Sequence, residues 1–117
     1  MSVLVILNEA PYGTERSYNG LRLALALLKR PDAGAVTVFL MADAVLSAKR
    51  GQNTPDGYYN IERMLRRVTA AKGAVKLCGT CMDARGLAGD ELIEDAVRSN
   101  MDELASLTLS ADKVVVF

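Results

Sequence analysis

The stretch Lys76-Leu77-Cys78-Gly79-Thr80-Cys81-Met82-Asp83-Ala84-Arg85-Gly86 holds both cysteines of this 117-residue chain. It continues an apolar run, so Ala74–Leu77 reads as a strand that delivers two thiols to its carboxyl end, with a helix start behind them. Thiols in Cys-x-x-Cys spacing at the mouth of a strand point to sulfur, redox or metal chemistry. The flanking sequence narrows that choice.

Working outward, the pattern alternates between strands and helices. Val3–Leu7 and Ala35–Met41 are continuous apolar, β-branched runs of the kind buried on both faces of a parallel sheet. Between them, Asn8–Gly13 forms a turn, and Thr14 is placed to cap a helix running to Lys29. Leu21, Ala24, Leu25 and Leu28 supply its buried stripe. Gly20, within that helix, predicts close packing against another backbone. A short helix is expected over Ala44–Lys49, a loop over Gly51–Gly57, and a third helix from Tyr58 to Ala71 with Gly73 at its C′ position. Leu92–Val97 reads as a short edge strand or a helical turn, with the strand favoured. Ser99-Asn100-Met101-Asp102 resembles a capping box, opening a helix that should bury Met101, Leu104, Ala105 and Thr108. Val114–Phe117 closes the chain as a strand.

Strands alternating with helices imply right-handed crossovers and an α/β fold: one domain over residues 1–117, with a parallel sheet covered on both faces. Ligand sites in such sheets lie beyond the carboxyl ends of the strands. That rule brings the cysteine loop toward Glu9, Tyr12, Thr14 and Asp43, the candidate ligand-binding residues, together with Gly79 and Thr80 of the loop itself. Thr14 and Asp43 also have plain roles as helix caps, and Tyr58 and Tyr59 suit a pocket cover, an interface or simple packing.

Composition excludes several function classes. Fourteen basic residues balance fourteen acidic ones, so there is no clustered positive field in the sequence to serve a nucleic acid. No apolar run is long enough to span a membrane, and no signal peptide is recognisable, so a cytoplasmic protein with reduced thiols is expected. The chain has no histidine, which removes Ser-His and Cys-His pairs and leaves too few ligands for a zinc site within one chain. No metal and no cofactor are expected. Cys78, at a helix start, is the candidate nucleophile, because backbone N–H groups there favour a thiolate. Arg85 would add positive charge, and Cys81 would serve as a resolving or second thiol.

Asn8-Glu9-Ala10-Pro11-Tyr12-Gly13, Val38–Ala44, Cys78–Gly86 and the terminal Ala111–Phe117 together resemble the DsrE/DsrF-like family, with its YchN-like and TusD-like branches, over essentially the whole chain. The resemblance implies a three-layer α/β/α sandwich on a five-stranded parallel sheet, assembled as a homotrimer or homohexamer. It further implies a sulfur carrier, or sulfurtransferase-like protein, with sulfur-donor and sulfur-acceptor protein partners. By its spacing to Arg85-Gly86, Cys78 matches the position that accepts sulfane sulfur as a persulfide. Cys81 is an addition to the TusD-like pattern, and a thiol there could attack a Cys78 persulfide and release sulfide. Two alternatives stand beside this reading: a non-catalytic assembly or small-ligand-binding module of the same fold, and a Cys78/Cys81 dithiol redox protein. The chain lacks the proline expected opposite a thioredoxin-type motif, which counts against the last.

Overall fold

The computed structural model describes all residues, Met1–Phe117. Five strands form the sheet: β1 (Ser2–Leu7), β2 (Ala35–Leu40), β3 (Ala74–Cys78), β4 (Ala96–Ser99) and β5 (Lys113–Val116). Every neighbouring pair is parallel, in the order β4-β3-β2-β1-β5. Helix α1 (Arg16–Leu28) joins β1 to β2, α2 (Ile61–Ala70) joins β2 to β3, α3 (Gly79–Ala84) follows β3, and α4 (Met101–Ser110) joins β4 to β5.

The strand order decides where the helices go. From β1 to β4 the chain steps across the sheet in one direction, so right-handed crossovers keep α1, α2 and α3 on one face. The return from β4 to β5 spans the sheet in the opposite sense, and the same handedness puts α4 on the other face. The result is an α/β/α sandwich with unequal layers. On the α1/α2 side, alternate residues of the strands (Val3, Val5, Leu7; Val36, Val38, Leu40; Val75, Leu77) join a cluster of 23 buried residues with Leu21, Leu25, Leu65 and Val68. On the α4 side the buried cluster has only four members, Leu4, Phe39, Cys78 and Leu104.

Several local expectations are corrected. Helix α1 is flanked by Glu15 rather than capped by Thr14, whose Oγ1 accepts only a long bond from the Arg16 N–H at 3.5 Å. Helix α2 begins at Ile61, not Tyr58, because the Asn60 side chain accepts from the Arg63 N–H and sets the start there. Lys72, at φ 72°, takes the left-handed position after α2. Gly73 follows it, where a Cβ would lie 2.7 Å from Val68 Cγ1. The Ala42–Ala48 segment is a 3-10 turn, starting earlier than expected. The edge strand is Ala96–Ser99. Leu92 and Ile93 are buried in the loop before it, so burial rather than sheet pairing explains their apolar character.

Asn100, not Ser99, caps α4, accepting from the Glu103 N–H at 2.8 Å. The helix buries Leu104 alone. Met101, Ala105 and Thr108 are exposed, against the expectation for that stripe, because only one side of α4 meets the sheet. Glu103 anchors its first turn, taking a Lys76 Nζ contact at 3.0 Å and a hydrogen bond from the Ser99 hydroxyl. Gly20 is closely packed, but against side chains rather than the backbone expected: a Cβ there would lie 2.3 Å from Leu7 Cδ2 and 3.2 Å from the Phe117 ring.

Candidate functional site

The connection leaving β3 goes to one face of the sheet, and the connection leaving β4 goes to the other. Adjacent strands whose connections part in this way open a crevice at their carboxyl ends. That crevice is a cavity of about 440 Å³ lined by Cys78, Gly79, Thr80, Arg98, Ser99, Asn100 and Met101. Cys78 is the last residue of β3 and the first residue flanking α3, so strand register and helix start fix its thiol at the mouth together.

Cys78 is buried and Cys81 half-buried, and both are free thiols. Cys78 Sγ lies 3.3 Å from the Thr80 hydroxyl, which donates when the sulfur is ionised. Burial pushes the Cys78 thiol up. The Thr80 hydroxyl, the Cys81 thiol and the backbone N–H groups of Cys81 and Thr80 outweigh it, and bring its pKa below the ordinary cysteine value. Cys81 moves the opposite way. Burial, then the hydrogen bond to Cys78 and the charge on it, exceed what the Ala42 N–H and the Arg85 charge return. The pair is therefore unequal, with Cys78 the stronger acid and the better placed nucleophile.

The cation that shares the cavity with Cys78 is Arg98, at the end of β4. Asp83 holds it with two parallel bonds of 2.8 and 2.9 Å, and the Cys78 charge also raises its pKa. Gly79 makes room for it: a Cβ there would come within 2.7 Å of the guanidinium carbon. Arg85 lies elsewhere. Its Nε donates to Asp43 Oδ1 at 2.8 Å and its Nη1 to the Cys81 carbonyl at 3.0 Å, so its charge reaches Cys81 rather than Cys78.

The structure thus gathers Cys78, Gly79 and Thr80 at the crevice; Cys81 is hydrogen-bonded to Cys78 but does not line it, and the Arg85–Asp43 pair braces the loop. Glu9, Tyr12 and Thr14 are not among the residues lining that cavity. The Glu9 carbonyl accepts from Ser17 Oγ at 2.8 Å, and Tyr12 donates to Gln52 Oε1 at 2.6 Å and accepts from the Ile61 N–H at 3.1 Å. Thr14 is exposed beside Tyr58 and Tyr59. Arg98 and Asn100 are functional candidates that sequence reasoning did not single out. Their one signal was position, just where the fourth strand ends. No group of three or more Cys, Asp or Glu side chains is arranged to hold a metal ion.

Comparison with known proteins covers the full chain. The model of the DsrE/DsrF-like family matches residues 1–117. Protein YchN of Escherichia coli K12 is 45% identical over 115 residues, covering 98% of this chain and 97% of that protein. Protein MJ0989 of Methanocaldococcus jannaschii is 39% identical over 117 residues, the whole of both chains. The crystal structure of the E. coli YchN protein superimposes with a TM-score of 0.93 over 99% of this chain and 98% of that one. MTH1491 from Methanobacterium thermoautotrophicum has the same fold at 15% identity, with a TM-score of 0.76 over 99% and 97% of the two chains.

Proposed function

Because the chain belongs to the DsrE/DsrF-like family, we propose that it is a sulfur carrier or sulfurtransferase-like protein of the cytoplasm that accepts sulfane sulfur on Cys78. The observation that carries this reading is the Cys78 thiol itself: acidified by its neighbours, set at the crevice between β3 and β4, and faced by a guanidinium. The Cys78 thiolate attacks the outer sulfur of a donor persulfide, R–S–SH. The new bond is Sγ–S, the donor's own S–S bond breaks, and the donor leaves as the thiolate R–S⁻. Arg98 stands where negative charge collects on the transferred sulfur. Handing the sulfur to an acceptor thiolate is the same exchange in reverse.

Cys81 supplies a branch. Its thiolate, attacking Cys78 Sγ, would expel hydrosulfide and leave a Cys78–Cys81 disulfide. Burial pushes the Cys81 thiol above the ordinary cysteine value, which disfavours its thiolate and so favours the carrier over this branch. A donor protein, an acceptor protein and a homotrimeric or homohexameric assembly complete the proposal. The support for self-association is the thinly covered α4 face.

The test is incubation with a small persulfide donor, followed by intact mass spectrometry. The protein should gain one sulfur atom, Cys78→Ser should gain none, and Cys81→Ser should hold its adduct longer than the parent. No adduct with any donor removes the carrier reading. Rapid loss of two hydrogens, with insulin-reducing activity, would favour the dithiol redox protein instead.

A further inference from the structure

A second site lies on the opposite face of the sheet from α4, where α1 and α2 run side by side. All four tyrosines of the chain meet there, although they come from three separate segments. Tyr18 stacks on Tyr59 at 4.4 Å between centroids, Tyr59 on Tyr58 at 4.6 Å, and Tyr12 lies 5.7 Å from Tyr59. Tyr58 also lies 6.2 Å from Tyr12 yet remains 51% exposed, so part of its ring is open to a ligand. Beside it runs a groove of about 500 Å³ whose polar lining is Arg22, Lys29, Arg63 and Arg67, with Asn60.

What distinguishes this groove is that its cations are gathered in one place. Outside it, Arg16, Arg50, Lys72 and Lys113 form no salt bridge, while Arg30, Lys49, Arg66, Lys76, Arg85 and Arg98 each have a carboxylate partner. None of the four groove cations has one, and no Asp or Glu lines the groove. Arg22 sits over the Tyr18 ring at 5.5 Å and donates to Asn19 Oδ1 at 3.0 Å, which leaves its charge uncompensated. Arg63 and Arg67 are one turn apart on α2, so their side chains emerge on the same stripe. A neighbouring hollow of about 340 Å³ shares Lys29 and Arg67 and carries the groove further along both helices. Four cations lining one groove with no carboxylate among them make a positive field that attracts a multiply charged anion.

We infer that the α1–α2 groove binds a nucleoside polyphosphate, its base stacked on Tyr58 and its phosphates lying over Arg63, Arg67, Lys29 and Arg22. The two halves of the surface ask for one ligand with both properties. A planar ring satisfies the open tyrosine face, and a chain of phosphates satisfies cations spread along two helices. The volume falls within the range of ordinary small-ligand sites. The groove shares no lining residue with the Cys78 cavity, so it stands or falls independently of sulfur transfer.

The probe is ATP, titrated calorimetrically into the full-length protein at low ionic strength, with adenosine and inorganic tripolyphosphate as separate arms. ATP should bind with a Kd below about 1 mM, weaken as salt is added, and bind each fragment at least about tenfold less well. Tyr58→Ala and the double variant Arg63→Gln/Arg67→Gln change exposed residues. Each should weaken ATP about tenfold or more while leaving thermal unfolding unchanged, and Cys78→Ser should bind as the parent does. Tripolyphosphate does not absorb where tyrosine does, and all tyrosines lie in this cluster, so its binding is also readable as a change in tyrosine emission. Three results overturn the inference: no ATP binding at about 1 mM, tripolyphosphate binding as tightly as ATP, or variants that bind like the parent. A fourth is dissociation of an oligomer by Tyr58→Ala without any effect of ATP, which would make the groove a contact between copies of the chain.

Discussion

At Cys78 burial and hydrogen bonding pull in opposite directions, and hydrogen bonding prevails. A thiolate buried without partners would be disfavoured, but this one has a hydroxyl, a thiol and two backbone N–H groups directed at it. The guanidinium of Arg98 adds to that side of the balance, and Asp83 keeps it in place. Arg98→Gln removes the cation and leaves the Asp83 carboxylate uncompensated beside the site, so the Cys78 pKa should rise. The rate of iodoacetamide alkylation against pH measures this, with the midpoint moving up in Arg98→Gln while Arg85→Gln leaves it nearly in place. Linkage fixes the sign of the effect on stability. The lowered Cys78 pKa favours the folded state increasingly as pH rises through it toward the ordinary cysteine value, whereas the raised Cys81 pKa opposes this over the alkaline range. The cysteines and their spacing were plain in the sequence. Arg98 was not, because a residue twenty positions away enters the site only through the register that pairs Cys78 with Ser99.

Among the elements, α1 and α4 contrast. Helix α1 packs close enough that Gly20 is required against Leu7 and Phe117, and it buries Leu21, Ala24 and Leu25. Gly20→Ala should therefore destabilise the protein by about 1–3 kcal/mol, despite alanine's better helix propensity, as read from urea unfolding. Its stripe was readable from the sequence because a helix packed along its whole length obeys its own period. Helix α4 was misread for the same physical reason. Its apolar residues repeat with a helical period, yet Leu104 alone is buried, with Leu107 partly covered beside it. Periodicity reports which residues share a face, not whether that face is covered within one chain.

For the whole molecule, the uncovered face is the main feature. Val97, Val114 and Val116 of the two edge strands, with Met101 and Leu109 of α4, are exposed at 51, 41, 62, 55 and 88% respectively. Such apolar surface on a small domain favours association between copies. Val116→Lys places a charge at that face without touching either site, and should shift the protein toward monomer in sedimentation velocity. The parent's melting temperature should also rise with protein concentration, as it does when assembly is linked to folding. An assembly unaffected by Val116→Lys would place the contact elsewhere.

The sequence by itself determined the α/β class, the first three strands, the close packing at Gly20 and the two thiols at a strand end. Each of these follows from local chemistry: apolar runs, turn residues, a glycine in a helix, and cysteines beside both. Only the tertiary structure decided which strand ends form the crevice, because that depends on β4 lying beside β3 while its connection leaves by the opposite face. It likewise brought four cations and three of the four tyrosines, scattered along a chain of zero net charge, into one groove between α1 and α2. Charge and aromatic character are properties of residues, but the field and the surface they make depend on which helices lie side by side.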